Sequence, residues 1–208
     1  MASLFPIFLK IAGRRGVVVG AGKIAEQKLE ALLAAEAKVH VVAPQASAAI
    51  RQLAAGGQLV WTARSFEPAD LDGAAVAIAA TGDTVVNAEV FRAAGERGVL
   101  CNAVDDPERC HFYYPAVVRR GDLQIAISTG GHSPALAQRL RAELATLFGR
   151  DYGPWLQWLG AVRHLLFRRQ VDPQLRKQTL HRIASREVYD RFALAQQRHP
   201  REQRGRGQ

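Results

Sequence analysis

The sequence is poor in cysteine and has no long apolar run. Cys101 and Cys110 are its only cysteines, too few for a disulfide framework, which predicts reduced thiols in a cytoplasmic protein. The longest apolar runs, such as residues 74–80, are far shorter than the ~20 residues that cross a bilayer. The N-terminus has no positive stretch before its hydrophobic residues, so we expect neither a secretory signal nor a membrane partner.

Positive charge, in contrast, is concentrated at one end of the chain. The 208 residues carry a formal net charge of +9, and residues 149–208 hold 13 Arg or Lys against 5 Asp or Glu. Such a basic segment attracts anions, whether nucleic acid, an acidic membrane surface or a polycarboxylate substrate. No DNA- or RNA-binding motif is present and few aromatic residues lie between the arginines, so we expect no nucleic-acid partner.

Short apolar runs alternate with helical patterns up to about residue 105. Strands that are apolar throughout are typical of a parallel sheet covered on both faces. The predicted strands are residues 16–19, 39–43, 59–62, 76–80 and 99–104, and the predicted helices between them are 23–35, 46–55 and 83–97. The pattern therefore predicts an α/β fold built on a parallel sheet.

The pattern changes after Tyr114. Residues 116–128, "AVVRRGDLQIAIS", predict two strands joined by an Arg-Gly-Asp turn, because apolar and polar side chains alternate after the turn. The rest of the chain predicts helices up to residue 198. We expect the polar tail, residues 199–208, to be disordered. The predicted helices are residues 133–148, 152–169, 173–185 and 187–198.

The segment "VVVGAGKIAEQKLEALL", residues 17–33, has the spacing of a dinucleotide-binding fingerprint, G-x-G-x-x-A, between a β-branched run and a helical sequence. The first glycine permits a tight turn, the second lets the backbone approach a pyrophosphate, and the free N–H groups at the helix start attract the anion. The alternative is a tight turn that binds nothing. The predicted cofactor contacts here are Gly20, Gly22, Lys23, Ile24 and Ala25.

The acidic residue that usually holds the ribose hydroxyls after the second strand is missing. That strand ends "VVAPQ", so ribose contacts are expected from the backbone near Pro44 or from Gln45. The missing acid weakens the choice of NAD⁺ over NADP⁺. The strand end also has no arginine for a 2′-phosphate, and NAD⁺ remains the expected cofactor.

The fourth and fifth predicted strands end in polar residues at the edge where a cofactor lies in an open α/β sheet. Thr81 is therefore a candidate contact to the dinucleotide, although the segment that it begins also serves to turn the chain and cap the next helix. Asp105 and Asp106 follow the fifth strand in "NAVDDPE" and are expected to face the same crevice. The alternative is a turn before Pro107, because Asp-Pro is common in turns.

The combination of segments resembles a known family. The matching segments, in order, are "LFPIFLKI", "VVVGAGKIAEQKLEALL", "VHVVAP", "AIAATGDTVVN", "CNAVDDPE" and "FYYPAVVRRGDLQIAISTGGHSPALAQRLRAEL". Together with the helical tail they cover most of residues 3–195. They resemble the precorrin-2 dehydrogenase and sirohydrochlorin ferrochelatase family, whose module also begins bifunctional siroheme synthase. The matching segments include no part of the family's methyltransferase module, so we expect the stand-alone form.

The resemblance implies a domain organisation. We expect an NAD-binding Rossmann domain over residues 1–113, a dimerisation region over 114–149 and a C-terminal helical region over 150–198. Members of the family are homodimers, with the active site in a cleft between the first two regions. A homodimer that binds a tetrapyrrole is therefore expected here.

The resemblance also implies chemistry. Precorrin-2 loses two hydrogens to become sirohydrochlorin, one as hydride to NAD⁺ and one as a proton, and Fe²⁺ then enters as a substrate if the chain is also a chelatase. The family's N-x-x-D pattern begins at Asn102, a candidate substrate contact, and assigns the catalytic role to Asp105. Asp105 is also a possible transient metal contact, and no permanent metal site is expected. Asp106 is then the better candidate for a turn residue.

A second family signature is "ISTGGHSPALAQRLR", residues 127–141. Its glycines allow close backbone approach, and its serine and proline suit the N-cap and first position of a helix whose N-terminus can hold a substrate carboxylate. The alternative is a helix start without a ligand, and a solvated loop position for its histidine. The predicted substrate contacts are Thr129, Gly130, Gly131, His132 and Ser133.

Two further interpretations compete with the enzyme. Three residues, Cys101, Cys110 and His111, are of the types that bind zinc, but they lack C-x-x-C spacing, so we expect no structural zinc.

The second alternative is a regulatory NAD-binding module without turnover. It accounts for the glycine fingerprint but not for "NAVDD" or "STGGHSP". Binding of nucleotide without turnover would favour that module.

Overall fold

In the computed structural model, residues 4–198 are described, and they form two compact units. The first unit ends at Tyr114 and the second begins at Pro115. The predicted polar tail, residues 199–208, lies outside the described residues. Within the described part, no helix is both long and apolar enough to cross a membrane.

The first unit is a parallel sheet with helices on both faces. Its elements are β1 (Arg15–Val19), α1 (Lys23–Ala34), β2 (Lys38–Val42), α2 (Ala48–Ala55), β3 (Val60–Thr62), β4 (Ala74–Ala79), α3 (Thr84–Glu96) and β5 (Leu100–Ala103). All neighbouring strands are parallel, in the order β3-β2-β1-β4-β5. This is the order of a Rossmann fold, and the predicted α/β, Rossmann-like sheet is confirmed.

The two faces of the sheet explain why its strands are apolar throughout. Successive residues of a strand point to opposite faces. On one face Val18 packs in a fully buried cluster with Leu29 of α1 and Ile50 of α2. On the other face Val19 packs in a second cluster with Val90 of α3. Apolar burial on both faces holds the strand ends, and the residues that follow them, in fixed register.

A polar group centred on His40, in the middle of β2, makes stability depend on pH. The Nδ1 atom of His40 lies 2.8 Å from the Arg15 guanidinium, which can only donate, so Nδ1 accepts and Nε2–H donates to Thr62 Oγ1 at 2.7 Å. Burial, followed by the positive charge of Arg15, lowers the pKa of His40 from its ordinary 6.5, and the opposing attraction of Asp70 is smaller. The folded protein therefore favours neutral His40.

We expect acidification to destabilise the first unit through His40. Since its pKa is lower in the folded than in the unfolded chain, the contribution of neutral His40 is complete above 6.5 and is lost as the pH falls from that value towards the folded pKa. Urea unfolding at about pH 7.5 and about pH 5.5 measures the loss. His40→Gln cannot titrate, so its stability should change less over this interval. An equal pH dependence in this variant would show that other groups are responsible.

The second unit is a hairpin followed by helices. Its elements are β6 (Ala116–Arg120), β7 (Leu123–Ile127), α4 (Pro134–Leu147), α5 (Tyr152–Arg168), α6 (Pro173–Ile183) and α7 (Arg186–Arg198). The strands pair antiparallel through the predicted Arg-Gly-Asp turn. The turn packs against α5, where a Cβ on Gly153 would lie 3.1 Å from the carbonyl oxygen of Arg120. The predicted hairpin and helices are therefore present.

Arg120 joins the hairpin to the end of α4. Its Nη2 and Nε atoms donate to the carbonyl oxygens of Ala145 (2.6 Å) and Phe148 (2.7 Å), which end the helix without intrahelical partners. Arg120→Met should destabilise the second unit by about 1–3 kcal/mol, the usual cost of losing charge-assisted hydrogen bonds. Arg119→Met is the matched control, because Arg119 is exposed and its guanidinium makes no hydrogen bond within the described residues. Equal urea midpoints for the two variants would contradict this role.

Candidate active site

The turn after β1 is tightly packed. Gly20 has φ +103°, and a Cβ on it would lie 2.4 Å from the carbonyl oxygen of Ala80 and 3.0 Å from the amide nitrogen of Thr81. Its own N–H donates to the carbonyl oxygen of Val42 at 2.9 Å. The turn is thus held between the ends of β2 and β4, and only glycine fits at this position.

Gly22 differs from Gly20 because its surroundings are open. It is the N-cap of α1, no side chain caps the helix there, and a Cβ on Gly22 would meet nothing within 4 Å. Lys23 and Ile24 are exposed, whereas Ala25 is fully buried against the sheet. Open space above a glycine, beside uncapped helix N–H groups, fits a dinucleotide pyrophosphate.

The carboxyl ends of the strands form one continuous edge. Val19 of β1 pairs with Ala79 of β4, which pairs with Ala103 of β5. The pairing continues one residue further, because Val104 N–H donates to the carbonyl oxygen of Ala79 at 2.9 Å. Neighbouring strands are about 4.8 Å apart, so the turn at Gly20 and the chain after β5 are separated by about 10 Å.

Thr81, after β4, is held by internal hydrogen bonds. Its Oγ1 lies 2.7 Å from Asn87 Oδ1 and 2.9 Å from the carbonyl oxygen of Asp83. The Asp83 carboxylate in turn accepts from the N–H groups of Val85 and Val86 and caps α3. The predicted turn and helix cap are therefore confirmed. The predicted contact between Thr81 and a cofactor stays a prediction.

Pro44 and Gln45 lie just beyond β2 and are both exposed. The Gln45 side chain makes no hydrogen bond within the described part of the chain, so its amide is available to a ribose, and this contact also stays a prediction. One arginine does lie near this strand end, since Arg51 of α2 donates from Nη1 to the carbonyl oxygen of Ala46 at 2.9 Å. The sequence pattern missed it because Arg51 reaches back from the helix.

A cavity of about 470 Å³ lies between α1 and α2 and is lined by residues such as Glu26, Leu33 and Gln52. It includes none of the predicted cofactor residues. We therefore place the candidate site at the carboxyl edge of the sheet, where the glycine turn and the polar strand ends meet, rather than in this cavity.

The two adjacent carboxylates after β5 have different surroundings. Asp106 forms an ion pair with Arg109 within a short 3₁₀ turn, Pro107–Arg109. Asp105 is exposed, has φ +61°, and has no ion-pair partner within residues 4–198. Aspartate is one of the few residues that tolerate this left-handed conformation. Asp105 itself, rather than the predicted Asp106, takes the left-handed turn position, and the ion pair occupies the Asp106 carboxylate while that of Asp105 stays available at the sheet edge.

The second signature, between β7 and α4, forms a helix cap. Ser133 Oγ accepts from Leu136 N–H at 3.2 Å, as predicted for an N-cap, and Pro134 occupies the first helical turn. Thr129 Oγ1 is hydrogen-bonded to the backbone of Ser133, and His132 is exposed. Both glycines of this loop, Gly130 and Gly131, have positive φ. Contacts between this loop and a substrate stay predictions.

Comparisons with known proteins bear on both units. The family model described as putative NAD(P)-binding matches residues 7–116, more than half of the chain. The model described as sirohaem biosynthesis protein central matches residues 120–147. The solved structure of SirC, precorrin-2 dehydrogenase, superposes with a TM-score of 0.78 at 29% identity, covering 94% of this chain and 100% of that one. This chain belongs to the precorrin-2 dehydrogenase and sirohydrochlorin ferrochelatase family.

Longer members of the family contain the same segment. Siroheme synthase 1 of Serratia proteamaculans is 39% identical over 165 residues, which are 77% of this chain and 35% of that protein. Siroheme synthase of Azotobacter vinelandii is 40% identical over 184 residues, 88% of this chain and 39% of that protein. The chain therefore spans a little over a third of the length of these curated relatives.

For this member of the precorrin-2 dehydrogenase and sirohydrochlorin ferrochelatase family, the structure adds residues that the motifs did not indicate. Asn87 is buried in α3 and donates from Nδ2 to the carbonyl oxygen of Thr81 at 3.1 Å. A polar residue on the buried face of a predicted helix indicates an internal hydrogen bond, so the sequence could have identified Asn87. Cys110 and Asn102 contact each other across the Asp105 loop, whereas the His111 ring accepts from Cys101 N–H and stacks on Phe91. Spacing alone did not reveal these pairs.

Proposed function

We propose that this protein oxidises precorrin-2 to sirohydrochlorin with NAD⁺ as the hydride acceptor. The observation that carries the proposal is the shared strand edge: the glycine turn follows β1, Asp105 follows β5, and two strand spacings of about 4.8 Å separate these strands. We place the nicotinamide ring and the reacting carbon of the substrate along this edge, within reach of the Asp105 carboxylate. The likeness to SirC, precorrin-2 dehydrogenase, over 94% of this chain supports it.

The proposed reaction balances as precorrin-2 plus NAD⁺ giving sirohydrochlorin, NADH and a proton. Bound NAD⁺ would supply the hydride acceptor. Asp105 accepts the proton, because its carboxylate is exposed at the sheet edge and is not neutralised by an ion pair within the described residues. The turn residues fix the backbone from which this carboxylate extends.

We assign the cofactor contacts as follows. The N–H groups at the start of α1, above Gly22, hold the pyrophosphate. Gln45 and the backbone at Pro44 hold a ribose, and Thr81 lines the same edge. We propose NAD⁺ rather than NADP⁺ because the Arg51 guanidinium, which lies near this strand end, already donates to the carbonyl oxygen of Ala46. A clear preference for NADP⁺ in turnover would contradict this assignment.

The second unit is proposed to bind substrate and to form the homodimer. The glycine pair and the capped start of α4 suit a carboxylate of the tetrapyrrole, with Thr129, His132 and Ser133 as its polar contacts. In the first unit, Asn102 is a weaker candidate than its motif position suggests, because its Nδ2 hydrogens are used internally.

Iron insertion is the second proposed step. Chelation replaces two pyrrole protons of sirohydrochlorin with Fe²⁺, so it needs a proton acceptor at the macrocycle, and Asp105 is the available carboxylate at the strand edge. Fe²⁺ is a substrate in this step rather than a resident metal, with Asp105 as a transient contact.

An anaerobic assay tests the proposed function. Purified protein with precorrin-2 and NAD⁺ should give the sirohydrochlorin absorption spectrum and one NADH for each product molecule, and later addition of Fe²⁺ should give siroheme. NADP⁺ in place of NAD⁺ tests the cofactor choice. A folded protein that binds NAD⁺ but never converts precorrin-2 would contradict the proposal and favour a regulatory NAD-binding module.

A further inference from the structure

The loop that carries Asp105 is closed at its base by two side chains. Asn102, which is buried at the end of β5, donates from Nδ2 to Cys110 Sγ at 3.2 Å and to the carbonyl oxygen of Phe112 at 2.9 Å. The backbones of Asn102 and Cys110 also pair as a short antiparallel bridge. We call these contacts the Asn102–Cys110 clamp. They turn residues 103–109 into a closed loop with Asp105 near its tip.

The Cys110 thiol reaches both sides of the Asp105 turn. Its Sγ lies 3.2 Å from the carbonyl oxygen of Ala103 and 3.2 Å from that of Asp106, so one S–H is shared between carbonyls that precede and follow Asp105. Burial, the largest influence, raises the pKa of the Cys110 thiol from its ordinary value, and the negative charge of Asp106 also acts to raise it. A protonated thiol is the form that donates.

The backbone conformation of Asp105 is one that surrounding hydrogen bonds must stabilise. A residue other than glycine at φ +61° is less favourable than in ordinary strand or helix conformations, and it persists when its surroundings determine it. The exposed Asp105 side chain makes no hydrogen bond within the described part of the chain, so the loop's own backbone contacts set where the carboxylate stands. The Arg109 ion pair restrains the neighbouring Asp106 instead.

We propose that Cys110 is a positioning residue, whose thiol, held by Asn102, fixes the turn from which Asp105 meets the substrate at the sheet edge. The inference rests on the proposed function, since it gives Cys110 an effect on turnover only through Asp105. It assigns no reactive or metal-binding chemistry to the thiol.

A double-mutant cycle tests this inference. The variants are Cys110→Ala, Asp105→Asn and the double variant, assayed in whichever half-reaction Asp105→Asn slows more. Cys110→Ala should lower kcat roughly three- to tenfold, the effect of one hydrogen bond, and leave the Kd for NAD⁺ unchanged. In the Asp105→Asn background it should have no further effect, because both changes act on the same carboxylate.

Matched variants separate positioning from general structure. Cys110→Ser keeps a donor and should return kcat to within about threefold of the wild-type value. Cys101→Ala makes the same thiol-to-methyl change at the fully buried neighbour of Asn102, and it should lower thermal stability with kcat unchanged. Should Cys110→Ala fold poorly, Cys110→Val removes the donor without leaving a cavity at this half-buried position.

Amide hydrogen exchange supplies a readout that does not depend on turnover. Exchange of the Asp106 and Arg109 amides should accelerate in Cys110→Ala and not in Cys101→Ala. Additive losses in the cycle, no recovery with serine, or unchanged loop exchange would each overturn the positioning role. Wild-type protein that never converts precorrin-2 would overturn the proposed function and, with it, any effect of Cys110 on catalysis, whereas unchanged exchange alone overturns only the positioning.

Discussion

Gly20→Ala is expected to prevent the first unit from folding stably. The new methyl group would lie 2.4 Å from the carbonyl oxygen of Ala80, a backbone atom that cannot move without disturbing β4, and alanine is strained at φ +103°. Overpacking and backbone strain each cost about 1–3 kcal/mol, so the sum is a large part of the stability of a typical domain. Urea unfolding followed by circular dichroism measures the loss.

Gly22→Ala is the control for that prediction. It adds the same methyl group two residues later, where φ is −93° and nothing lies within 4 Å. Its stability should stay within about 1 kcal/mol of the wild type, because alanine is a poorer N-cap than glycine but also restricts the unfolded chain. Affinity for NAD⁺ should nevertheless fall, because the methyl group would occupy the space proposed for the pyrophosphate. Equal instability of the two variants would contradict the different roles given to the glycines.

Asp105→Asn is expected to cause the largest loss of activity. Removing a proton acceptor typically costs about 10²- to 10⁴-fold in rate. The loss should be greater for iron insertion, which displaces two protons, than for dehydrogenation, which depends mainly on the position of the cofactor. Asparagine is preferred to alanine because it tolerates φ +61°, so the turn survives the change. Anaerobic single-turnover assays follow the two steps separately.

Asp106→Asn is the matched control for Asp105→Asn. It removes the neighbouring carboxylate, whose ion pair with Arg109 lies near the surface and contributes at most about 1 kcal/mol. Its kcat should stay within about threefold of the wild type in both steps. A larger loss with Asp106→Asn than with Asp105→Asn would show that the functional acid is the other member of the pair.

Local signals were sufficient to predict most of the fold. Apolar runs located every strand of the parallel sheet to within about two residues, and Asp83 and Ser133 cap α3 and α4 as their positions indicated. The second helix was predicted to start at residue 46 but starts at Ala48, because Ser47 accepts from Ile50 N–H and becomes its N-cap. Caps, glycine turns and apolar periodicity are encoded within a few residues of one another.

The details of the candidate site needed the structure. Asp105 has a left-handed φ in an irregular loop that Asn102 and Cys110, eight residues apart, close at its base, and no periodicity signals such a pair. The sequence also could not show that the Arg51 side chain points back from α2 to the carbonyl oxygen of Ala46, near the end of β2. The motif correctly placed both acids after the fifth strand. The structure adds the ion pair of Asp106 with Arg109 and the left-handed φ of Asp105, which distinguish the two acids.

The central claim is that the glycine turn and Asp105 serve one reaction at one edge of the sheet. A crystal structure of the protein with NAD⁺ bound tests it most directly. We predict that the pyrophosphate lies above Gly22, against the first turn of α1, and that the nicotinamide ring lies between the ends of β4 and β5 with the Asp105 carboxylate facing it. A dinucleotide bound elsewhere, or an Asp105 carboxylate turned away from the ring, would contradict the account.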